Sequence, residues 1–432
     1  MWTFKRVARL GALPETVYRD RFFDANPNSS MSLVVQKFGG TCMGSPERIQ
    51  MVSRRIARDV SAGGARVVVV SAMGKTTDDL LLLASQVSRS LPHREIDMLL
   101  TAGERISMAL LSMALSDQGI AAVSLTGSQC GIVTDRSHRR ARIRRILGDR
   151  ARESLALGKV VIVAGFQGVS EEGKEITTLG RGGSDTTAVA LAAVLGAERC
   201  DIYTDVDGVY SADPRQVQGA VLHEKISFDS MLELAARGAG VLHPRSVALA
   251  RKFKVRLRVL NGLVEGDRKG TEVSEIRAME DPQILGVTAD EDRAVLSVEL
   301  ERAGSLGALW QAISQTQLSV LAPVFEGVQV RLFADKDQEK EWDRELQVLL
   351  RDGFIKSFAW DRNRVPVSLV GECFSQDSAL LGDVVGGLAE HGIFATLGVA
   401  SAVSVTIAVP QHQAAEAVRT LHERWIAKKG LA

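Results

Sequence analysis

Several things are scarce in this chain, and each scarcity excludes a class of protein. Its 432 residues hold four cysteines, Cys42, Cys130, Cys200 and Cys373. They lie far apart and form no C-x-x-C pair, so neither a zinc site nor a disulfide framework is expected, and a reducing cytoplasm is the expected compartment. No apolar run reaches the roughly 18 residues of a membrane span, so no membrane partner is expected. The first 30 residues scatter charge (Lys5, Arg6, Arg9, Glu15, Arg19, Asp20, Arg21) where a signal peptide needs a continuous apolar core. They read as an appendage, or as sequence upstream of a start at Met31. Lys and Arg total 53 against 52 Asp and Glu, a net charge of +1 that gives no broad footing for nucleic acid or an anionic membrane. The histidines are dispersed, with no H-E-x-x-H and no Ser/His/Asp pattern, so hydrolase chemistry has no support, and no metal is assigned a direct protein ligand. Gly74-Lys75-Thr76 has the end of a P-loop but Val69 where the leading glycine must stand, which rules that motif out.

The apolar supply, 45% of residues, suffices for two or three domains. Its densest signal is Thr178-Leu179-Gly180-Arg181-Gly182-Gly183-Ser184-Asp185-Thr186-Thr187-Ala188, between the apolar run Lys159–Phe166 and the Ala-rich run Ala188–Leu195. The first run reads as a buried strand and the second as a helix, so the glycines sit at a helix start, where free N–H groups and the dipole favour an anion. From Leu33 strand and helix alternate. Strands are expected at Leu33–Phe38, Arg66–Ser71, Ala121–Leu125, Val160–Ala164 and Arg199–Thr204, with helices from about Ser45 to Ser61 and over Met98–Leu115. That rhythm predicts a mainly parallel α/β sheet covered on both faces, a three-layer αβα domain over 31–265.

Residues 266–282, charged and glycine-containing, read as a linker. Two small α+β, ferredoxin-like units are expected in tandem after it, over 283–360 and 361–432. The first has strands at Ile284–Val287, Ala294–Leu300 and Val328–Phe333 and helices at Ser305–Gln315 and Glu339–Leu350. The second repeats the order with Val367–Val370, Asp377–Glu390, Ser401–Val409 and Gln413–Trp425. Such sheets expose edges and apolar helix faces that pair between chains, so a homo-oligomer is expected.

Two further segments carry candidate chemistry. Lys37-Phe38-Gly39-Gly40-Thr41 ends a strand in a cation and a double glycine, which suits phosphate but equally suits an ordinary turn. Tyr203-Thr204-Asp205-Val206-Asp207-Gly208-Val209-Tyr210-Ser211-Ala212-Asp213-Pro214-Arg215 is either a surface turn or a loop for a nucleoside and its metal. Glu104, inside the apolar helix, reads alone as an ion-paired or capping residue.

Taken together, Lys37–Thr41, Ser71–Gly74, Thr76–Asp78, Thr101–Ser107, Val163–Val169, Thr178–Ala188, Tyr203–Arg215 and Leu242-His243-Pro244-Arg245-Ser246 resemble, in order, the motifs of the aspartate kinases of the amino acid kinase family. The resemblance covers residues 33–264 and extends to two C-terminal ACT-like units. It implies phosphorylation of the β-carboxylate of L-aspartate by MgATP, the first step toward lysine, threonine and methionine. It also implies Lys37 and Asp185 as catalytic residues, and Lys37, Phe38, Gly39, Gly40, Gly182, Gly183, Thr204, Asp205, Tyr210 and Arg215 on the nucleotide. Ser71, Thr77, Glu104, Arg181 and Ser184 would hold aspartate, Arg181 on its α-carboxylate and Glu104 on its α-ammonium. Lysine or threonine would act as effector at the ACT-like units. The chain departs from the family at Gly240, where a lysine is usual and where Lys252 or Arg237 is a candidate substitute. It departs again at Cys42, where serine is usual, and in the effector turns, Arg302–Ser305 and Gly392–Thr396. Two alternatives remain open: an amino-acid sensor with a weakened kinase domain, and a related kinase with another carboxylate acceptor.

Overall fold

The computed structural model describes residues 32–266, 269–275, 284–316, 318–371 and 379–427. The N-terminal extension, Cys373 and the start of the helix expected from Asp377 therefore lie outside the described residues.

The first domain is built on an eight-stranded sheet. Strands β1 (Leu33–Phe38), β2 (Ala65–Val70), β3 (Ala122–Leu125), β6 (Val160–Ala164), β9 (Arg199–Thr204) and β11 (Leu257–Asn261) run parallel in the order β11-β9-β1-β2-β6-β3. Runs such as Arg66-Val67-Val68-Val69-Val70, apolar on every side chain after the first, form strands because both faces are covered. One face packs the stripe Val35, Val67, Val69, Val161, Val163 and Ile202 against helix α5 (Gly183–Leu195), whose residues Gly183–Ala192 are all buried. The other face sets Phe38, Val68, Val70, Ile162 and Tyr203 against helices α1 (Pro46–Ser61) and α3 (His93–Ser116). Helix α1 starts where Ser45 accepts from Arg48 N and Pro46 takes the first turn. The short helices α2 (Thr76–Val87) and α4 (Asp149–Ala156) lie between β2 and α3 and between β5 and β6 in the chain.

Helix α3 is long and apolar enough to cross a bilayer by composition alone. Here it packs against α1 and the sheet, and its buried residues include Asp97, Thr101 and Glu104. A second sheet that the sequence did not announce, β5-β4-β7-β8 (Ile143–Ile146, Ile132–Thr134, Gln167–Ser170, Ile176–Thr178), delivers the chain to the glycine-rich loop.

The expected linker is partly structured. Strand β12 (Thr271–Ser274) pairs antiparallel with β11 and parallel with β10 (Lys225–Ser227), which completes the main sheet. Thr271 and Val273 are fully buried, so this segment belongs to the first domain's core.

The tandem arrangement expected at 283–360 and 361–432 is also corrected. The first unit spans 293–361: β14 (Arg293–Leu300), α8 (Leu306–Thr316), β15 (Leu321–Glu326), β16 (Gln329–Asp335), α9 (Glu339–Arg351) and β17 (Ile355–Asp361), in sheet order β15-β16-β14-β17. The second unit contains β18 (Arg364–Gly371), α10 (Leu380–Ala389), β19 (Gly398–Ala400), β20 (Ser404–Pro410) and α11 (Ala414–Trp425). Its sheet is completed by β13 (Ile284–Ala289), in the order β13-β18-β20-β19. Strand β13 pairs antiparallel with β18 from Ile284↔Gly371 to Ala289↔Val367. The first unit is thus inserted between the last strand of the second unit's sheet and the rest of that unit. The first unit runs β-α-β-β-α-β along the chain, and the second shows the same spatial arrangement with β13 taking the place of the last strand; a sequence reading sees only helix and strand alternating and splits the two in tandem. Helix α6 (Phe228–Ala236) touches β10 and β12 of the first domain's sheet and β13 and β18 of the second unit, and helix α7 (Pro244–Phe253) packs against α5 and α6.

Candidate functional site

Parallel register decides where the site lies. Phe38 stands opposite Val70 and Tyr203, and Val70 opposite Ala164, so β1, β2, β6 and β9 end in one row. The loops leaving those ends, Gly39–Gly40, Ser71–Gly74, Gly165 onward and Thr204 onward, therefore share one edge. The chain goes from β1 to β2 on one side and returns to β9 on the other, so a crevice opens at the carboxyl ends beside β1. Gly39 N donates to Tyr203 O at 3.1 Å, closing its floor.

Strand periodicity sends Lys37 to the face covered by α5, whose first turn carries Asp185. Lys37 Nζ lies 2.7 Å from Asp185 Oδ1, with both side chains nearly buried. Around this pair the backbone is bare. A Cβ on Gly40 would sit 3.1 Å from Ala72 O, and one on Gly182 only 2.2 Å from His243 Cβ. Gly182 caps α5 with φ 66, a conformation that glycine adopts without strain. Gly183 is packed against Phe166, itself held at φ 67 where a bulky residue is strained. Ser184 abuts Gly165, whose missing Cβ leaves the room. Together Lys37, Gly39, Gly40, Gly182 and Gly183 form a cradle fit for phosphate oxygens.

The second charge system lies on α3. Glu104 is 4% exposed; its Oε1 accepts from Ala72 N at 3.3 Å, while its buried Oε2 has no partner. Burial pushes its carboxyl up to about 7, against which the Ala72 N–H works only weakly. A carboxylate with one oxygen unpaired in a buried place invites a cation. Ser71 and Thr77, both half-buried, stand on the loop after β2 and in the first turn of α2.

Four expected site residues are placed differently. Phe38 is fully buried and stacked on Tyr203 with centroids 4.6 Å apart, and its carbonyl accepts from Ser71 N, so it backs the site and does not line it. Arg215 is exposed and clamps Asp213 at 2.8 Å and 3.0 Å, which holds that carboxyl below the usual range. Arg181 is 73% exposed and lies 3.4 Å from Asp337 of the first ACT-like unit and 3.7 Å from Asp292, in the turn between β13 and β14. Its guanidinium is thus engaged by the inserted unit and not by the crevice around Glu104. Arg237 is committed to Glu233 at 2.7 Å and Thr406 at 3.0 Å, so it does not replace the cation missing at Gly240. Gly240 itself is exposed at φ 69, with Gly238 O the nearest atom a Cβ would meet.

The remaining expected residues fall where the register puts them. Thr204 Oγ1 donates to Asp205, and Tyr210 OH reaches Asp207 at 3.4 Å, on the loop after β9. Cys42 keeps a donor where serine is usual, its Sγ lying 3.6 Å from Tyr203 O, and burial pushes its thiol up so that it stays protonated. Supporting residues escaped the sequence reading. Arg245 donates to Leu179 O and Ala141 O at 2.8 Å each, fixing the root of the glycine loop. Fully buried Asp97 accepts from Thr178 Oγ1 and Arg139 N and contacts His138 Nδ1 at 2.7 Å, tying the neighbouring loop to α3. Only the motif Leu242–Ser246 hinted at the first, and nothing local marked the second.

A cavity of about 260 Å³ on the opposite face of the sheet, bordered by Gln36, Arg55, Asp59 and Asp201, is a separate feature. There Asp201 is gripped by Arg258 through two 2.8 Å bonds, a structural ion pair away from Lys37. Among the described residues, no three His, Cys, Asp or Glu side chains gather as a metal site.

Comparison with known proteins agrees with this geometry. The model of the amino acid kinase family matches residues 32–261. The aspartokinase of Geobacillus stearothermophilus is 44% identical over 401 residues, covering 91% of this chain and 97% of that protein. The aspartokinase of Corynebacterium glutamicum is 41% identical over 410 residues, covering 91% and 96%. Among solved structures, E. coli aspartokinase III in complex with aspartate and ADP superposes with a TM-score of 0.78 at 23% identity, covering 90% of this chain and 99% of that one. The chain belongs to the amino acid kinase family and, within it, to the aspartokinases.

Proposed function

We propose that this chain transfers the γ-phosphoryl group of MgATP to the β-carboxylate of L-aspartate, giving 4-phospho-L-aspartate and ADP, in the cytoplasm and as a homo-oligomer. The observation that carries the reading is the pairing of two opposed charge systems at one sheet edge. Lys37 with its glycine cradle suits phosphate, and the half-satisfied Glu104 carboxylate suits an ammonium.

The β-carboxylate is ionised at neutral pH, so no general base is needed. An oxygen of that carboxylate attacks the γ-phosphorus and the bond to the β-phosphate oxygen breaks, leaving ADP. The protein's task is to align two anions and offset their repulsion. Lys37 and the Gly39, Gly40, Gly182 and Gly183 backbone hold the β- and γ-phosphates, and Asp185 keeps the Lys37 ammonium in place until they arrive. Glu104 takes the α-ammonium, with Ser71, Thr77 and Ser184 adding hydroxyl contacts, and Arg181, once released from Asp292 and Asp337, takes the α-carboxylate in bidentate fashion. Thr204, Asp205, Tyr210 and a released Arg215 border the nucleotide. Asp185 is the oxygen donor that would hold a Mg²⁺ ion bound with ATP, and such an ion would offset the charge of the phosphates. Lysine or threonine is the effector class at the ACT-like units.

ATP-dependent formation of aspartyl hydroxamate tests the reading. Wild-type protein is expected to turn over aspartate in preference to glutamate or N-acetylglutamate, with Lys37→Ala at least ~100-fold slower. Turnover no better than that variant at saturating aspartate sinks the proposal.

Glu104 supplies a pH signature. Its ionised form binds the substrate cation, so kcat/KM for aspartate should rise with pH and level off above about 7. Glu104→Gln should lose aspartate affinity and flatten that profile. Because the folded-state value lies above the ordinary 4.5, the wild-type carboxylate destabilises the fold increasingly from pH 4.5 to about 7. Glu104→Gln should therefore melt higher than wild type at pH 8, and the two should converge near pH 4.5.

The Arg181 contact makes a separate prediction. Two exposed ion pairs are worth about 0.2–1 kcal/mol each, so Asp292→Asn with Asp337→Asn should lower KM for aspartate by roughly two- to thirtyfold, with kcat unchanged. An unaltered KM in steady-state assays contradicts this competition.

A further inference from the structure

The loop after β9 does not stand alone: its far half is built into the second ACT-like unit. Ser211, next to Tyr210, uses all its polar groups, and it divides them between two partners. Its N–H donates to Val221 O at 2.9 Å and its Oγ accepts from Val221 N at 2.8 Å, closing the loop on itself. Its carbonyl accepts from Val287 N of β13 at 2.8 Å, and its Oγ lies 2.9 Å from His422 Nε2 of α11. With the Val221 N–H on one lone pair, the hydroxyl still has its own proton and a second lone pair, so it pairs with Nε2 whichever ring tautomer His422 adopts. Both residues are 1% exposed, so neither group has water as a substitute partner.

The seat around this bond is continuous. Ala212 and Val217 of the loop are buried in the second unit's own core, with Val287, Leu380, Val418 and Leu421. His223 Nε2, at the loop's return, meets Leu285 O at 2.8 Å. A Cβ on Gly286 would stand 3.0 Å from Ser211 O, so a bare backbone lets β13 come this close. The segment that carries Tyr210 at one end and Arg215 at the other thus owes its shape to a helix of the regulatory half.

We propose that His422 is a positioning residue of the nucleotide site: through Ser211 it holds the 210–217 loop on the second ACT-like unit, so that this unit sets the affinity for ATP. This rests on reading residues 203–215 as the nucleotide loop. It makes the second unit part of the catalytic scaffold, whereas the first unit touches the aspartate side through Arg181.

The test measures MgATP binding directly by calorimetry and KM for ATP and for aspartate separately, all on the full chain. His422→Leu fills the place with an apolar side chain of similar size but removes the ring nitrogen that pairs with Ser211. It should weaken ATP binding and raise KM for ATP about three- to tenfold, a hydrogen bond's worth, and leave KM for aspartate within about twofold. His422→Gln, whose side-chain amide can donate or accept near the position of Nε2, should restore ATP affinity to within about twofold of wild type. Ser211→Ala, which also gives up the Val221 N bond, should weaken ATP binding at least as much as His422→Leu, and the double variant should be no worse than Ser211→Ala alone. Should His422→Leu fail to fold, Ser211→Ala carries the same measurement. Unchanged ATP affinity in folded His422→Leu or Ser211→Ala overturns the inference while leaving the kinase reading standing. So does a proportional fall in every kinetic constant that His422→Gln does not rescue. Wild-type protein that bound no nucleotide would overturn the kinase reading and this inference with it.

Discussion

An ammonium and a carboxylate 2.7 Å apart, Lys37 on β1 and Asp185 on α5, are the contact on which the rest of the catalytic domain converges. Each side chain is about nine-tenths removed from water, so removing either partner would leave an uncompensated charge, a loss that commonly costs several kcal/mol. The pair forms because period-2 alternation turns Lys37 toward the α5 face, and because a left-handed glycine starts α5 so that its first turn presents Asp185. The surrounding parallel strands end in register, which brings the loops of β2, β6 and β9 to the same place. A phosphate entering the cradle finds a cation already desolvated and aimed, which is the preorganisation phosphoryl transfer requires.

The two ACT-like units bear on different sides of that centre. Asp337 of the inserted first unit and Asp292 in the turn before it reach Arg181, and the second unit takes up the loop after β9 into its own core. Strand β13 precedes the first unit in sequence yet belongs to the second unit's sheet, so the chain leaves the kinase domain through the second unit before building the first. At Gly240, Arg237 is locked to Glu233 and does not supply the cation that the resemblance leads one to expect there; on the proposed reading, Lys37 and the start of α5 would carry that share of the phosphate charge.

Much of the fold was legible because its signals are local. Valine runs announced the buried strands, and the glycine cluster before an alanine-rich run announced an anion site. What stayed hidden depends on pairing across long sequence separations. Nothing near Ile284 says that it meets Gly371, and the Thr271–Ser274 strand is too short, and too near a charged stretch, to look buried. In the site, residue types were readable but their current partners were not: Arg181 answers to Asp292 and Asp337, and Arg215 to Asp213. Asp97, Arg245 and His422 carry no motif that marks a support role, because a buried polar residue becomes recognisable only once its partner is known.

The central claim is that Lys37, held by Asp185, is the charge on which nucleotide and aspartate meet. A crystal structure with L-aspartate and a non-hydrolysable ATP analogue measures this directly. The account predicts a β-carboxylate oxygen within roughly 3.5 Å of the γ-phosphorus, the Lys37 ammonium on the β- or γ-phosphate oxygens, and the α-ammonium on Glu104 Oε2. Phosphates bound away from Lys37, or an aspartate whose ammonium ignores Glu104, would contradict it.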